Sequence, residues 1–402
     1  MPTKMVRVEV TEPISPIKSN DAYDYIQVLV TAYGLPLGYV WLENRPLVST
    51  DEIRYGIVHG LPSFAIGMMA EILLNPNGVL LSKPAFRPSV SIVLCTLDRP
   101  DDLADCLDAI VRTDYPDYEI VLVDNNPSSG KSEAVAERYP VVYVEENRRG
   151  LSFARNAGIR AAKGDIIVCT DDDCIVDKAW LDRLVRPFED PQVGCVTGLV
   201  VPAELETEAQ ELFELYGGLG RGFERKVFDS TWFKQSKTRA VHTWNIGATA
   251  IAAFRATGLR EIGLFEEALF GSEDTYVFYQ LLRRGYKCAY EPWAYVYHRH
   301  RAEYRSLRRQ LFHYSKGHYA YHTKCLLADK DLRAFVHMWA SVPQSYIYRM
   351  RASLRHRSGY PFKLILWEIM GNIMGPFAFL KSMIRTRRLL KENVRAQYEI
   401  AP

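Results

Sequence analysis

Gly164-Asp165-Ile166-Ile167-Val168-Cys169-Thr170-Asp171-Asp172-Asp173 is the stretch that decides the fold. Its middle is an apolar, β-branched run of the kind a short buried strand uses. Its end is three consecutive carboxylates. Acids this close repel one another unless a cation sits between them; a solvated turn is the plain alternative. Hard oxygen donors suit Mg²⁺ or Mn²⁺, and those ions commonly bring substrate phosphates with them.

Working outward, 90–95 and 141–144 read as further strands, and 119–123 as one that ends at Asp124. Between them lie a helix carrying Leu103, Cys106, Leu107 and Ile110 on one face, capped by Asp101 or Asp102, and a helix over 151–162 closed by Gly164. This βαβα alternation predicts an α/β fold over 89–300: a mostly parallel sheet with helices on both faces. Ligands of such sheets gather at the carboxyl ends of strands. Thr96, Asp124 and the acidic triplet all fall on that edge.

Two additions flank this body. In 1–81, Ile26, Val28 and Val30 alternate as in a half-buried strand, 34–38 reads as a turn, and 39–42 as a second strand. Ser49 then caps a helix bearing Ile53, Ile57 and Val58, giving a small α+β module without visible chemistry. The prolines of 82–88 mark a linker. The last part, 301–402, is helical, aromatic and basic: from Arg299 onward 20 Lys and Arg face 6 Asp and Glu, although the whole chain carries only +2. Seven cysteines without a CxxC pair read as reduced thiols. No apolar signal follows Met1, so a cytoplasmic chain is expected.

Several positions have the chemistry of a site. Arg99, in the loop after the first strand, suits a base or a phosphate. Asp124 suits the imide N–H of uracil, or else forms the turn into Asn125-Asn126-Pro127. Gly150 lets a ligand approach the start of the following helix, a ready anion site, with Arg155 and Asn156 on its first turns. Glu273-Asp274 opens a later helix, where acids also serve as ordinary caps; a carboxylate there makes a well-placed general base. Trp244, Asn245 and Gly247 read as an acceptor pocket, with 204–239 as a candidate acceptor loop. His298 ends a strand-like run and could complete an octahedral site begun by Asp173.

Taken in order, Cys95-Thr96, Val123-Asp124, Gly150-Leu151-Ser152-Phe153-Ala154-Arg155-Asn156, Asp171-Asp172-Asp173, Glu273-Asp274 and His298 resemble the motifs of family 2 glycosyltransferases. The likeness covers 89–300 and implies their nucleotide-sugar-binding GT-A fold. It implies inverting transfer of a sugar from a nucleotide diphosphate sugar, a UDP-sugar above all, with Mn²⁺ or Mg²⁺ as cofactor. By the same resemblance, Thr96, Arg99 and Asp124 would hold the nucleoside, Arg155 would lie near the base or diphosphate, and Gly150 would belong to the nucleotide-sugar site. Asp171 and Asp172 would contact the nucleotide sugar, and Asp173 and His298 the metal. Asp274 would be the catalytic base, with Glu273 beside it. The Gln-x-x-Arg-Trp motif of processive members is not matched by Gln310-Leu311-Phe312-His313-Tyr314, so single-sugar transfer to a saccharide or lipid-linked acceptor is expected.

The apolar stretch 361–384 is interrupted by Glu368, Gly371, Gly375 and Pro376, and cations flank it at Arg349, Arg351, Arg355, Arg357, Lys381, Arg385, Arg387, Arg388 and Lys391. It reads as an interfacial helix on the inner face of an anionic membrane; a helix packed on the domain or a true span are the alternatives. Nucleic acid is not expected as a partner, because the cations alternate with long apolar side chains. Two other functions stay open. A nucleotidyltransferase would need a Gly-rich loop with Lys after the first strand, which 96–100 lacks; a non-catalytic sugar- or lipid-binding protein would not need the acids.

Overall fold

In the computed structural model, which describes residues 2–75, 86–354 and 359–399, a small module comes first. Strands β1 (Thr3–Glu9), β2 (Tyr25–Ala32) and β3 (Leu35–Glu43) form its sheet, β1 parallel and β3 antiparallel to β2. The β2–β3 turn is only Tyr33 and Gly34, both at positive φ (47° and 74°), the geometry that tight hairpins favour. Residues 35–38, read above as turn, are therefore strand, with Leu35 and Leu37 buried. Helix α1 (Thr50–Gly60) opens on a capping box in which Ser49 and Glu52 satisfy each other's backbone N–H; α2 (Ser63–Leu74) follows. Ile53 and Ile57 are buried and Val58 is exposed. Trp293 of the main sheet joins this module's core, and Arg183 donates to the carbonyls of both Gly34 and Trp293 at 3.0 Å. Most of the linker read at 82–88 and the cations Arg355 and Arg357 lie outside the described residues.

Among the described residues the main sheet has nine strands: β4 (Val90–Thr96), β5 (Tyr118–Asp124), β6 (Val141–Glu145), β7 (Ile166–Asp171), β8 (Cys174–Val176), β9 (Val193–Pro202), β10 (Lys226–Phe228), β11 (Ile251–Arg255) and β12 (Lys287–His298). They lie in the order β8-β12-β9-β11-β7-β4-β5-β6, with β10 also on β12. Six of them (β4, β5, β6, β7, β9 and β12) run the same way. Their carboxyl ends are Thr96, Asp124, Glu145, Asp171, Pro202 and His298, all on one edge.

Two apolar cores lie against the sheet. One takes Leu103, Cys106, Leu107 and Ile110 of α3 (Pro100–Ile110). The other takes Ala154 and Ile159 of α4 (Leu151–Ala161) and Phe278 of α5 (Glu273–Arg283). Arg99, not Asp101 or Asp102, occupies the cap of α3; Pro100 follows it and the two acids fall in the first turn, where proline fits best and acids meet the positive end of the dipole.

The chain closes with α6 (Tyr304–Leu327), a short helix (Leu332–Val336), one π-helical turn (His337–Ser341), α7 (Val342–Leu354) and α8 (Phe362–Glu399). Helix α8 lies along α6. A Cβ at Gly371 would sit 2.5 Å from the Phe312 carbonyl, and one at Gly375 would sit 2.5 Å from Tyr319 Cβ. These glycines let two helices meet closely.

Candidate active site

Register builds the metal-binding candidate. β7 ends at Asp171, the chain turns through Asp172 and Asp173, and β8 begins at Cys174 directly opposite His298. Asp173 Oδ1 and His298 Nε2 thus face each other at 3.4 Å, both buried. His300 Nε2 lies 3.0 Å from a Glu214 carboxylate oxygen, and His300 Nδ1 lies 3.0 Å from His298 Nδ1. If His300 donates to Glu214, its Nδ1 accepts from His298, which leaves the His298 Nε2 lone pair aimed at Asp173. Burial lowers the His298 pKa, which keeps the ring neutral. Burial opposes the charge on Asp173, but the Arg99 guanidinium hydrogen-bonded to it holds its pKa below the usual carboxylate value and keeps it ionised. A carboxylate oxygen and an imidazole lone pair facing each other form a donor pair that fits a divalent ion.

Around this pair the acids divide. Arg99 donates to Asp172 Oδ1 at 2.7 Å and to Asp173 Oδ2 at 2.8 Å, and it also pairs with Asp102. Thr96 Oγ1 donates to Asp172 Oδ2 at 2.8 Å. Asp124 is fully buried, accepting from Asn126 N and from Tyr143 O–H, each at 2.8 Å. Thr96, Arg99, Asp124, Asp172, Asp173 and His298 thus lie together at the strand ends and are not among the residues lining the open cavity.

The open site is a cavity of about 940 Å³ lined by Gly150, Arg155, Asp171, Trp244, Gly247, Glu273 and Asp274, among others. Asn245 is exposed and does not line it. Arg155, only 2 % exposed, ties the two sides: Nη1 donates to Glu273 Oε1 at 3.0 Å and Nη2 to Asp171 Oδ1 at 3.1 Å. The second Glu273 oxygen, buried, has no protein partner. Asp274 accepts from Thr275 N at 2.7 Å, and burial, then Glu273, raises its pKa. Gly150 starts α4 at φ 148°, and its N–H donates to Asn125 Oδ1 at 2.9 Å. Just inside that helix start the buried Ser152 hydroxyl is unpartnered. Gly247, at φ 149°, has no room for a Cβ, which would lie 2.5 Å from Thr197 Oγ1.

Several contributions escaped the sequence reading. Asn125 pins the 146–150 loop, donating to the Glu146 and Arg148 carbonyls at 2.9 Å each. Asn156, placed by sequence on the first turns of α4, clamps the Phe265 backbone through both its amide atoms. Tyr314, Ser345, Tyr346, Arg349 and Arg385, from α6, α7 and α8, form the far wall of the cavity. The run 301–402 read as a membrane tail thus also encloses the site. Tyr314 gave a signal as the end of the stretch compared with the processive motif, whereas Arg349 and Arg385 read only as cations facing lipid.

The architecture is GT-A: a mixed, mostly parallel sheet covered on both faces, with acids along its carboxyl edge. Residues 91–262 match the family model described as "Glycosyl transferase family 2". The chain is 31% identical over 121 residues to a glycosyltransferase, AglE, of Haloferax volcanii, covering 28% of this chain and 40% of that one. It is 24% identical over 210 residues to a poly-beta-1,6-N-acetyl-D-glucosamine synthase of Staphylococcus aureus, covering 51% and 48%. The chain thus spans less than half the length of these curated relatives. Among solved structures, a mannosyltransferase of Pyrobaculum calidifontis, in complex with GDP-Man and Mn²⁺, aligns with a TM-score of 0.51 over 78% of this chain and 94% of that one, at 20% identity. Residues 91–262 of the chain are thus similar to the family 2 glycosyltransferases.

Proposed function

We propose that the chain transfers a single sugar from a nucleotide diphosphate sugar to an acceptor hydroxyl with inversion. The observation that carries this reading is Arg155, which holds Asp171 of the donor edge and Glu273 of the acceptor side in one cavity, next to Asp274. The start of α4, with Gly150 and the free Ser152 hydroxyl, offers the diphosphate backbone N–H groups and a positive dipole end. Asp173 and His298 would hold a divalent ion, whose chemistry when bound is to neutralise charge on the leaving diphosphate. Asp274, with its raised pKa, takes the proton from the acceptor oxygen as that oxygen attacks the anomeric carbon from the opposite face. One displacement inverts that centre, through a transition state of oxocarbenium character. The free Glu273 oxygen is available to a sugar hydroxyl. A UDP-sugar is the donor expected from Asp124; the solved mannosyltransferase was captured with GDP-Man.

The test is a thermal-shift screen of UDP-, GDP- and dTDP-sugars with and without Mn²⁺, since a ligand that binds only the native state raises stability by mass action. Stabilisation by one nucleotide sugar, larger with Mn²⁺, supports the reading. Indifference to all three, together with no product from any, overturns it.

A surface observation favours peripheral contact with an anionic membrane on the cytoplasmic side. Leu366, Met370, Ile373, Phe377, Leu380 and Ile384 form one exposed apolar stripe on α8, with Ile373, Phe377 and Ile384 64%, 72% and 66% exposed. Exposed Lys381, Arg385 and Arg387 lie on the same helix. By length and composition, α8 over Phe362–Leu389 could also cross a membrane, but its polar residues at the cavity wall argue for lying on the surface. The full chain should sediment with phosphatidylglycerol vesicles, and the Ile373→Ser/Phe377→Ser variant should not; equal sedimentation of both rejects this contact.

A further inference from the structure

Outside the acidic edge lie three histidines, two of them lining the cavity, that the proposed transfer does not use. His318 and His322 lie one turn apart on the same face of α6, and His337 opens the π-helical turn that packs against them. Their rings are mutually adjacent, with centroids 4.6 Å (His318–His322), 4.4 Å (His322–His337) and 5.3 Å (His318–His337) apart. One nitrogen from each lies within 4.8 Å of the other two.

The polar atoms of this trio are poorly served by the protein. His318 Nε2 and His337 Nε2 face each other at 3.1 Å. His322, 1 % exposed, has an Nε2 with no partner, and the buried His337 leaves its Nδ1 without one. Buried polar nitrogens are ordinarily paired, so an orphan inside a ring of imidazoles calls for an explanation. Trp244 packs edge-on against His318 and His322, and His242 stacks on Trp244 outside the trio. The walls are thus aromatic.

We propose that His318, His322 and His337 form a second metal site, specific for an imidazole-preferring ion such as Zn²⁺ and separate from the Asp173–His298 pair. Zn²⁺ binds imidazole nitrogen at about 2.0–2.1 Å in tetrahedral geometry, which spaces ligand nitrogens by roughly 3.3–3.4 Å. The 3.1 Å His318–His337 separation is close to that edge, and small ring rotations bring in the orphaned His322 nitrogen. Neutral imidazoles are the form a metal takes up. Three protein ligands leave a fourth position, and His318 and His337 both line the cavity, so that position opens towards water or a substrate hydroxyl. In this arrangement the ion pins the π-helical turn, and with it α7, to α6 across the cavity. An all-nitrogen set favours Zn²⁺ over the oxygen-preferring Mg²⁺ or Mn²⁺ expected at the acidic edge.

The test uses the full, untagged chain carrying Asp173→Asn, which removes the other candidate pair. It reads metal binding rather than turnover, so it stands or falls independently of the transfer reaction. After stripping and dialysis against micromolar Zn²⁺, elemental analysis should find about one equivalent per chain, and Co²⁺ should give the intense visible bands of a tetrahedral centre. His322→Gln and His337→Gln should each weaken Co²⁺ binding by about 100-fold or more, whereas His242→Gln should not. Less than about one tenth of an equivalent of Zn²⁺, or Co²⁺ binding that survives both substitutions, overturns the site. Should either variant fail to fold, the Asp173→Asn chain alone decides, because absence of the tetrahedral Co²⁺ bands rejects the assignment.

Discussion

The two ends of the acidic edge differ in how their oxygens are spent. At Asp124 and Asp172 every carboxylate oxygen has a partner within the chain: Asn126 and Tyr143 for one, Thr96 and Arg99 for the other. At Asp171, Glu273 and Asp274 the carboxylates border the cavity, and one Glu273 oxygen has no partner at all. The first group is a scaffold that holds a turn against its own charge repulsion. The second is a surface with unused valence, where a substrate can be met. The same residue type therefore does two jobs, and its neighbours decide which.

The largest effect that would sharpen this contrast belongs to Asp274. Asp274→Asn keeps the shape and removes the base, so turnover should fall about 10²–10⁴-fold while the donor-induced thermal shift persists. Turnover equal to the parent's would remove Asp274 from the base role and break the division at its functional end.

Arg155 comes next, because it is the bridge between the donor and acceptor sides. Arg155→Leu leaves Asp171 and the buried Glu273 without their counter-charge, and removing one partner of a buried pair typically costs about 3–5 kcal/mol. Urea denaturation should show a loss of that order, with activity lost in parallel. Unchanged stability would mean that the bridge is not what joins the two sides.

The sheet was legible because apolar β-branched runs such as Ile166-Ile167-Val168 have few other uses, and because each ends in an acid or hydroxyl at a common edge. The antiparallel β11, inserted between β7 and β9, was not: Ile251-Ala252-Ala253-Phe254 carries no mark of direction. The site's residue types were legible, but their partners were not. Nothing in the string Asp171-Asp172-Asp173 tells which acid meets Arg155 and which meets Arg99, since those arginines reach the edge from separate elements, helix α4 and the cap of α3. The C-terminal wall was hidden for another reason. Gly371 and Gly375 look like helix weakeners in sequence, and only their distance to α6 identifies them as packing positions.

Asp172 offers a smaller, pH-dependent test of the scaffold end. Burial raises its pKa from 3.8 to about 6, with Arg99 opposing. The folded chain therefore holds this proton more tightly than the unfolded one, so the group's contribution to stability falls as pH rises from about 4 to 6 and is constant above. A proton held that much more tightly corresponds to about 3 kcal/mol. Asp172→Asn removes that slope, so its stability relative to the parent should improve by about 2–3 kcal/mol between pH 4 and 7. A parallel pair of curves would mean that Asp172 is already relieved, by Arg99 or by an ion.

The smallest effect tests whether the open wall depends on helix packing. Gly375→Ala should raise helix propensity by about 1 kcal/mol, but its Cβ would meet Tyr319 Cβ at 2.5 Å and the Lys316 carbonyl at 2.6 Å. Backbone cannot yield as a side chain can, and overpacking of this kind costs about 1–3 kcal/mol, so the net change should be a loss of up to about 2 kcal/mol. Gly67 in α2 has nothing within 4 Å of the same atom, and Gly67→Ala should therefore show the propensity gain alone. The kinetic readout separates the cavity's two sides. Displacing α8 from α6 draws Ser382 and Arg385 away from the site without touching α4 or the Asp173–His298 pair. Gly375→Ala should consequently raise KM for the acceptor more than KM for the donor. A rise in donor KM of equal size would mean that α8 supports both sides, and that the split between closed scaffold and open wall stops short of the C-terminal helices.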